Sequence, residues 1–579
     1  MAQFKFNKIT FETKTESPIK NETITAVSLG DVSKFKLNIE FDGEVMPKEY
    51  IISWNAPQID TTAFWSPMHH FEAYIRPDWS MNTATSKLTM GMPVCSLVNK
   101  TGMNRLTISH SDPKIPTQLR AGAVEEDASI CYEIRLFTEL TAKISSYEIE
   151  FMLDYRDIPF YKTVKDASIW WDELGYKHAF TPNDAKKPLY SAWYSFHQAT
   201  IPDKILKECE VAKKLGMDVL IVDDGWQTED GARGYGYCGD WEVCEAKIPS
   251  MKKFVDDVHA VGMKFMLWFS VPFVGFFSKN FERFKGMYLR KNARMNAMVL
   301  DPRFAEVREF LVGIYERFVR EYGIDGLKLD FIDSFMLGEE SSEEYDKMTT
   351  TSVEEGVDLL LSEISQRLKS INPDFLIEFR QSYVGPSISK YGNMFRVTDC
   401  PNDPLVNRTH SLNMRLVMLN SAVHSDMLMW NKSETNEALM YQLLAIMFTV
   451  PQISVCFDNI TSDHKKLLNN FLDFWRAHKD TILEGEIEVE GMEANYTRAR
   501  VKKDGESVEV LYHETVVRPY AKIKNYTFNA TGKDVIYIDS SEPMLYEAYD
   551  MFGEKIGSGT VSIGANKVDL PNGGMIVMY

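Results

Sequence analysis

The sequence predicts a multidomain protein of the α/β plus all-β class, in which a central (β/α)8 TIM barrel lies between an N-terminal β-sandwich and a small C-terminal β-sandwich. The chain has 579 residues. Because this length exceeds that of a domain built around a single hydrophobic core, several domains are expected. Apolar residues alternate with a period of two at both ends of the chain, which is typical of half-buried strands. In the middle, short apolar runs alternate with amphipathic helical patterns, which indicates a parallel sheet with crossover helices.

The first predicted domain covers residues 1–180 and includes a linker. Apolar residues alternate before an Asp42-Gly43 turn and again from Tyr147 to Phe151, so this region is expected to form half-buried sheet. The proline-bounded segment 182–188 is the expected seam before the barrel.

The predicted barrel covers residues 181–482. Eight apolar runs are spaced as the strands of such a barrel: residues 189–196, 219–223, 265–269, 327–331, 375–379, 395–398, 427–430 and 453–457. Amphipathic helices separate them, for example over residues 307–322, and a helix with Leu467 and Trp475 on its apolar side closes the series.

The third predicted domain covers residues 483–579, where the period of two returns. Asp504-Gly505 lies between two strand-like runs and predicts a hairpin. A last strand is expected at residues 575–579. A small β-sandwich accounts for this pattern.

Composition excludes several classes of partner. The 64 basic and 83 acidic side chains give a formal net charge of -19, and no basic run interrupts this surplus, so neither nucleic acid nor an anionic membrane is expected. No apolar run is long enough to span a membrane, and the N-terminal residues lack the apolar core of a signal peptide. Seven scattered cysteines without a CxxC pair indicate a reducing, cytoplasmic setting. The expected partner is a small carbohydrate, and the oligomeric state stays open, a homo-oligomer included.

Two motifs are rejected as cofactor sites. Residues 234–239 fit the dinucleotide pattern GxGxxG, but Asp240-Trp241-Glu242 follows instead of an apolar helix, so a nicotinamide cofactor is not implied. The pair His69-His70 lacks a third ligand at a recognisable spacing, which favours a surface or domain-interface role over a metal site. No metal or organic cofactor is therefore expected.

Polar residues that end barrel strands form the candidate site, because the catalytic face of such a barrel lies at the C-terminal strand ends. Four segments meet this condition: Asp223-Asp224-Gly225-Trp226, Lys328-Leu329-Asp330, Arg380 and residues 396–399. Asp325 lies at the entering end of its strand and is expected to be structural.

Asp330 is the candidate nucleophile. Lys328 is two residues before it on one strand, so the two side chains share a face and the ammonium is expected within reach of the carboxylate. A cation nearby favours the ionised carboxylate, which is the form that attacks an anomeric carbon. The alternative is a buried structural ion pair.

Asp399 is the candidate general acid/base, because it ends a strand two places around the ring from Asp330. Retaining glycosidases need two carboxyls roughly 5–5.5 Å apart. Asp403 competes for this role, although Pro404 after it is equally typical of a turn or a helix cap.

The remaining candidates would hold the sugar. Asp223 and Asp224 can accept hydrogen bonds from hydroxyls, and Trp226 can offer a flat apolar face to a pyranose ring. The alternative is a loop turn with a core tryptophan. Trp65 is a candidate contribution of the N-terminal domain to the pocket.

These segments resemble glycoside hydrolase family thirty-six, whose best-known members are α-galactosidases. The matching motifs follow in order at residues 191–194, 222–226, 239–241, 247–249, 262–269, 306–309, 322–330 and 398–399. The resemblance implies a retaining enzyme that works by double displacement on terminal α-linked galactose, with Asp330 as nucleophile and Asp399 as acid/base. It further implies that the residues around the glycone are Asp223, Asp224, Trp268, Lys328 and Arg396.

Two departures from the family bear on the substrate. Family α-galactosidases tend to read Trp-Phe-Glu-Pro-Glu where this chain has Trp268-Phe269-Ser270-Val271-Pro272, so carboxylates are missing there. After the fifth strand, residues 380–385 replace the family's usual cysteine and the glycine-rich arginine segment that follows it. Arg380 then puts a guanidinium beside the glycone, which makes a different 2-substituent or an anionic group conceivable. An α-N-acetylgalactosaminidase, another α-glycosidase, a transglycosidase and a sugar-binding protein without turnover are therefore the alternatives.

Overall fold

The computed structural model describes residues 2–6, 9–68 and 71–579. The His69-His70 pair lies outside the described residues, so its role stays a prediction. The N-terminal region is built from strands. They are β1 (Ala2–Phe6), β2 (Ile9–Thr15), β3 (Ile19–Ser28), β4 (Val32–Val45), β5 (Tyr50–Pro57), β6 (Ala63–Trp65), β7 (Asn82–Lys87), β8 (Met90–Gly91), β9 (Val94–Val98), β10 (Asn104–His110), β11 (Thr117–Val124), β12 (Ser129–Leu136) and β13 (Ile144–Asp154).

These strands form two antiparallel sheets, in the orders β1-β2-β5-β12-β11-β7-β8 and β3-β4-β13-β10-β9-β6. Successive side chains of a strand point to opposite faces, so the alternating apolar residues of β4 fall on one face and are buried. Phe35 of that face packs against the rings of Phe11 and Phe151, at centroid distances of 4.9 and 5.3 Å. The predicted N-terminal β-sandwich is confirmed.

A helix, α1 (Phe160–Glu173), leads from this sandwich into the barrel. The elements that follow are β14 (Leu189–Ser191), α2 (Trp193–Phe196), α3 (Pro202–Lys214), β15 (Val219–Val222), α4 (Met251–Val261), β16 (Lys264–Ser270), β17 (Phe273–Gly275), β18 (Tyr288–Asn292), β19 (Ala297–Leu300), α5 (Ala305–Tyr322), β20 (Gly326–Asp330), α6 (Val353–Ile371), β21 (Leu376–Arg380), α7 (Pro386–Ser389), β22 (Met394–Arg396), α8 (Pro404–Val417), β23 (Ala422–His424), α9 (Asn436–Ala445), β24 (Gln452–Ile453), α10 (Ser462–Ala477) and α11 (Lys479–Glu484).

Eight of these strands form one parallel sheet in the order β23-β22-β21-β20-β16-β15-β14-β24. Bridges from His424 to Val450 and from Leu428 to Ile453 join its two edges, so the sheet is nearly closed and the predicted (β/α)8 barrel is confirmed. The strands β17, β18 and β19 form a separate small antiparallel sheet after β16.

The strand limits differ from the prediction in ways that matter for the site. The seventh barrel strand is β23 and not the predicted segment 427–430, which contributes only the bridge of Leu428. Ala422–His424 is a short run bounded by Ser421 and Ser425, whereas residues 427–430 form a longer, wholly apolar run, so the sequence favours the second run. The first strand ends at Ser191, before a helical turn, and the sixth ends at Arg396. Asp399 therefore lies in the loop beyond its strand.

The helix before the fourth barrel strand shows why this segment folds as predicted. Val307, Leu311 and Phe318 of α5 are buried along one face, as the 3.6-residue period requires. Gly323 ends the helix at φ 77°, in the left-handed region that glycine adopts freely. The chain then enters β20, which carries the candidate nucleophile.

The C-terminal region is again built from strands. They are β25 (Glu486–Glu490), β26 (Arg498–Lys503), β27 (Glu506–Leu511), β28 (Val516–Val517), β29 (Lys524–Asn529), β30 (Val535–Ser540), β31 (Met544–Tyr549), β32 (Lys555–Val561), β33 (Gly564–Asp569) and β34 (Met575–Met578). Two sheets result, β25-β26-β27-β29-β34-β31-β32 and β28-β30-β33. Asp504 and Gly505 join β26 to β27 with φ values of 47° and 87°, as a two-residue hairpin requires. The predicted C-terminal β-sandwich is confirmed, whereas the domain limits at residues 180 and 482 stay predictions.

One tryptophan connects the three regions. Trp65 of β6 is fully buried, and its Nε1 donates to Asn413 Oδ1 of α8 at 2.9 Å and lies 3.1 Å from the Tyr496 hydroxyl. The expectation that Trp65 lines the pocket is wrong, because its side chain has no free surface. No helix of the described ranges has both the length and the apolar character needed to cross a membrane.

Candidate active site

The strand β20 carries Lys328 and Asp330 into the barrel, and both side chains are buried. Lys328 Nζ donates to Asp223 Oδ2 at 2.5 Å, at the end of the second barrel strand. The direct partner of the ammonium is therefore Asp223, and Lys328 acts on Asp330 through its charge. The predicted direct pair between Lys328 and Asp330 is replaced by a pair between Lys328 of β20 and Asp223 at the end of β15, across the intervening strand β16.

The Asp330 carboxylate accepts hydrogen bonds on both oxygens. Oδ1 accepts from Arg380 Nε at 2.9 Å, from the Tyr383 hydroxyl at 2.7 Å and from the Phe331 backbone N–H at 2.8 Å. Oδ2 accepts from Trp268 Nε1 at 3.1 Å. Phe331 adopts φ 62°, which is uncommon for a bulky residue and is found where a local geometry is held by its surroundings.

These contacts decide the protonation of Asp330. Burial raises its pKa, but the charges of Arg380 and Lys328, together with the hydrogen bonds, outweigh burial and hold the pKa well below its ordinary value. The group is therefore ionised at neutral pH, as a carboxylate nucleophile must be.

Arg380 ends β21 and is held on several sides. Its Nη1 donates to the Gln381 carbonyl at 3.1 Å, and its guanidinium lies 4.7 Å from the Tyr383 ring and 5.7 Å from the Phe331 ring. Nη2 makes no hydrogen bond within residues 2–6, 9–68 and 71–579. Arg380 thus orients Asp330, and its Nη2 remains available as a hydrogen-bond donor.

Asp399 lies in a different environment. Its side chain is 51% exposed, and its Oδ1 lies 2.8 Å from Arg396 Nη2. Partial desolvation raises the pKa of Asp399, but the charge of Arg396 and then that of Arg380 lower it below its ordinary value, while the charge of Asp330 acts in the opposite direction. The two candidate catalytic carboxyls are therefore electrostatically coupled through a shared set of cations.

Arg396 is buried beneath Asp399, with 1% of its surface exposed. Its Nη1 donates to Asp426 Oδ1 at 2.5 Å, and Asp426 Oδ2 accepts from the Tyr194 hydroxyl at 2.9 Å and from the Cys400 backbone N–H at 2.7 Å. Arg396 has little surface to offer a sugar, so its contact with the glycone stays a prediction, whereas its ion pairs with both acids are observed.

Asp223 and Asp224 follow the second barrel strand and are buried. Asp224 accepts from Gln198 Nε2 at 2.6 Å and from Gln227 Nε2 at 2.7 Å; burial raises its pKa to about 6 despite these hydrogen bonds. Gly225 adopts φ 107°, and a Cβ there would lie 2.5 Å from the Gln198 Cα, so only glycine fits this turn.

Trp226 is a core residue and not a sugar platform. It has no exposed surface, its ring packs on Trp241 and Phe269, and its Nε1 donates to the Trp268 carbonyl at 2.9 Å. The predicted sugar contact of Trp226 is wrong because the ring turns inward, behind Trp268. Trp268 itself points its indole N–H at Asp330.

The loop with the GxGxxG pattern supplies an aromatic side chain to the site. The Tyr235 ring lies 4.9 Å from Phe331, 5.7 Å from Phe273 and 5.9 Å from Trp268. No helix follows the pattern until Met251, so the loop lacks the structure of a phosphate-binding turn.

Two other acids have structural roles, which was the expectation for Asp325 and one of the open interpretations for Asp403. Asp325 lies at the entering end of β20, where it accepts from Lys264 Nζ at 2.9 Å and lies 2.7 Å from His259 Nε2. Asp403 caps α8 by accepting from the Leu405 and Val406 backbone N–H groups at 3.1 and 3.0 Å. Asp403 therefore does not compete with Asp399.

Sequence analysis missed four residues of the site. Asp426 lies two positions after β23, and a correct assignment of that strand would have identified it as a strand-end acid. Tyr383, Gln198 and Tyr235 lie in loops, and no spacing in the sequence indicates that they converge on Asp330 and Asp224.

The described residues contain no group of three or more His, Cys, Asp or Glu that could hold a metal ion. A cavity of about 750 Å³ lies away from the site, between α1, α8 and the start of the C-terminal region, where Arg415 and Glu484 line it. None of the candidate catalytic residues reaches this cavity.

Known proteins resemble this chain over the barrel. Residues 177–445 match the protein-family model described as Melibiase. The α-galactosidase Mel36A of Lactobacillus acidophilus is 29% identical over 153 residues, which make up 25% of this chain and 20% of that protein. An α-galactosidase of Escherichia coli is 30% identical over 92 residues, 15% of this chain and 12% of that protein. The matched segments thus span a fifth or less of these curated relatives.

Solved structures extend the likeness to the whole fold. The structure of GH36 α-galactosidase AgaA from Geobacillus stearothermophilus in complex with raffinose has a TM-score of 0.64 at 15% identity, and the match covers 100% of this chain and 84% of that chain. The α-galactosidase TtGalA from Thermus thermophilus has a TM-score of 0.56 at 16% identity, over 85% of this chain and 99% of that chain. The resemblance that the ordered motifs predict is confirmed.

Proposed function

We propose that this relative of the glycoside hydrolase family thirty-six α-galactosidases is a retaining glycosidase that releases terminal α-linked galactose from small oligosaccharides or glycosides. The observation that carries the proposal is the ionised Asp330 carboxylate at a barrel strand end, with a second carboxyl, Asp399, on the loop two strands further around the ring. Raffinose is the ligand named for the Geobacillus structure, which supports a small carbohydrate as substrate.

The reaction proceeds in two displacements. In the first, an Asp330 oxygen attacks the anomeric carbon, the bond to the leaving oxygen breaks, and that oxygen takes the proton of Asp399. In the second, Asp399 takes a proton from water, the water oxygen attacks the same carbon, and the ester bond to Asp330 breaks. Both steps are carboxylate attack and proton transfer, so they need no cofactor, and the anomeric configuration is retained.

The surrounding groups serve the glycone. Asp223 and Asp224 follow β15, two strands from Asp330 in the sheet, with carboxylate oxygens that can accept from sugar hydroxyls, and Lys328 holds Asp223 in place. The low pKa of Asp399 in the free protein means that it must gain its proton before or during substrate binding. A leaving group that displaces water from Asp399 favours this protonation, because desolvation favours the neutral acid.

A specific observation favours the second candidate, an α-N-acetylgalactosaminidase or another α-glycosidase or transglycosidase. Arg380 brings a guanidinium with an uncommitted Nη2 next to the nucleophile. Ser270 and Pro272, which stand where the family tends to have acids, are both buried. Both features alter the surroundings of the glycone, so a sugar with a different 2-substituent is the main competitor.

The setting we propose is a reducing, cytoplasmic one. All seven cysteines are unpaired, which supports this setting, since disulfides persist in oxidising compartments.

A panel of aryl α-glycosides tests the function, with NMR of the sugar that is formed first. We expect the α-galactoside to be turned over fastest and to give the α-anomer first. Faster turnover of the N-acetylgalactosaminide would show that this sugar, and not galactose, is the substrate. A β-anomer formed first would overturn the retaining mechanism. Calorimetric binding of galactosides without turnover of any glycoside would indicate a sugar-binding protein.

A further inference from the structure

Two arginines lie side by side at the catalytic end of the barrel. Arg380 and Arg396 are register partners on the adjacent parallel strands β21 and β22. Each holds one of the two candidate catalytic carboxyls: Arg380 Nε lies 2.9 Å from Asp330 Oδ1, and Arg396 Nη2 lies 2.8 Å from Asp399 Oδ1.

The two arginines differ in how their charge is balanced. Arg396 also pairs with Asp426 at 2.5 Å and lies 4.0 Å from Glu378, so it keeps an acidic partner whatever the protonation of Asp399. Arg380 has a single ion-pair partner within the described part of the chain, which is Asp330. Its side chain is 19% exposed, so solvent compensates it only in part.

The proposed reaction removes that partner. When Asp330 forms the ester with the sugar, its negative charge is lost. The leaving oxygen keeps the electron pair of the broken glycosidic bond, takes the proton of Asp399 and departs as the alcohol. Asp399 is then a carboxylate. The negative charge has moved from Asp330 to Asp399, and it returns when water opens the ester. A mostly buried guanidinium that loses its partner without replacement is strongly destabilising.

We propose that Arg380 is a positioning residue that exchanges its carboxylate partner, from Asp330 in the free protein to Asp399 in the covalent intermediate. The atoms for the second pair are available: Arg380 Nη2 makes no hydrogen bond, and Asp399 Oδ2 makes no ion pair or hydrogen bond within the described residues. The inference rests on the proposed function, because only a double displacement moves the charge in this way.

The exchange makes Arg380 necessary in both half-reactions. In the free protein its charge lowers the pKa of Asp330, with Lys328 acting in the same direction. It also lowers the pKa of Asp399, where Arg396 and Lys328 act in the same direction and Asp330 opposes them. An arginine that served only the nucleophile would stabilise the Asp330 carboxylate in both half-reactions, but it would not change the pKa of Asp399 in the intermediate, where Asp330 carries no charge.

The test compares R380Q with R380K, and uses R283Q as a matched control at an exposed arginine that pairs with Glu306. For each variant kcat/KM reports formation of the intermediate, and kcat with a dinitrophenyl α-galactoside, where a burst shows hydrolysis to be limiting, reports its breakdown. We expect R380Q to lower both by about 10²-fold. The acid limb of each pH profile should move to higher pH, because Asp330 and then Asp399 lose a cation. R380K keeps the charge and should leave the acid limbs of both pH profiles near their wild-type positions. Its kcat and kcat/KM should lie between those of the wild type and R380Q.

Each outcome decides the inference. A limb that moves for kcat/KM but stays in place for kcat would show that Arg380 serves Asp330 alone, and so would overturn the exchange. If R380Q does not fold, judged by its circular dichroism and melting temperature, R380K carries the test, and a shifted kcat limb in R380K would contradict the exchange. Absence of glycoside turnover in the wild-type protein would overturn the proposed function instead.

Discussion

Asp330 and Asp399 are the same kind of side chain in opposite surroundings. Asp330 is 7% exposed and accepts from three side-chain donors and one backbone N–H, whereas the Asp399 side chain is 51% exposed and contacts one arginine. We call these four hydrogen-bond donors the cage of Asp330. A nucleophile has to stay ionised and point in one direction, and a carboxylate inside such a cage does both. An acid/base has to bind and release a proton in every cycle, which an exposed carboxyl allows. The difference in surroundings therefore fits the two roles that we propose.

Loss of the caged carboxylate should have the largest effect. We expect D330A to lower kcat on an aryl α-galactoside by about 10⁴-fold or more, because the covalent step has no other nucleophile. D325N is the matched control, since Asp325 lies at the other end of the same strand among structural partners. It should lower the melting temperature and leave kcat within a few-fold of wild type. Full activity of D330A would contradict the assignment.

Loss of the exposed carboxyl should depend on the leaving group. We expect D399A to lower kcat/KM by about 10²–10⁴-fold with a disaccharide, which needs protonation to leave. A dinitrophenyl galactoside needs no proton to leave, so formation of the intermediate should be affected far less, and azide should accelerate its breakdown. Equal losses with both leaving groups and no effect of azide would show that Asp399 is not the acid/base.

Removal of one oxygen atom, that of the Tyr383 hydroxyl, should weaken the hydrogen bonding around Asp330. Y383F removes the hydroxyl that donates to Asp330 at 2.7 Å, and a hydrogen bond to a charged group is worth about 1.5–3 kcal/mol. The pKa of Asp330 should rise, because this hydrogen bond lowers it in the wild type. The acid limb of kcat/KM should therefore move to higher pH, with a decrease of roughly tenfold at low pH. An unmoved limb would mean that the hydroxyl does not stabilise the ionised form.

The smallest catalytic effect is expected for W226F, a substitution in the core behind Trp268. W226F removes a buried indole that donates to the Trp268 carbonyl, so the free energy of unfolding should fall by about 1–3 kcal/mol. KM for an aryl galactoside should stay within about twofold, because a core residue has no surface for the sugar. A large rise in KM with unchanged stability would restore the role that the sequence predicted for Trp226.

The barrel and the caged acid were accessible from the sequence, because regular periods and strand-end positions encode them. The eight-strand pattern, with its seventh strand misplaced, and the position of Asp330 follow from local rules. The helix-cap role of Asp403 was one of two interpretations that local rules left open.

The rest depends on three-dimensional packing. The direction in which Trp226 points depends on which face of its turn meets the core, and the partner of Lys328 depends on the register between strands. The strand β23 is short and is followed by the more apolar run 427–430, which the sequence favours as the strand, so Asp426 between them was missed. Tyr383 reaches Asp330 from a neighbouring loop, and no spacing in the sequence reports such a contact.

Trapping of the covalent intermediate tests the central claim most directly. A 5-fluoro-α-galactosyl fluoride slows both displacements and lets the ester accumulate, after which peptide mass spectrometry locates the sugar. We expect the label on the peptide that contains Asp330, and faster labelling of the wild type than of R380Q. A label on Asp399, or turnover of the α-galactoside with no ester on either aspartate, would contradict this expectation.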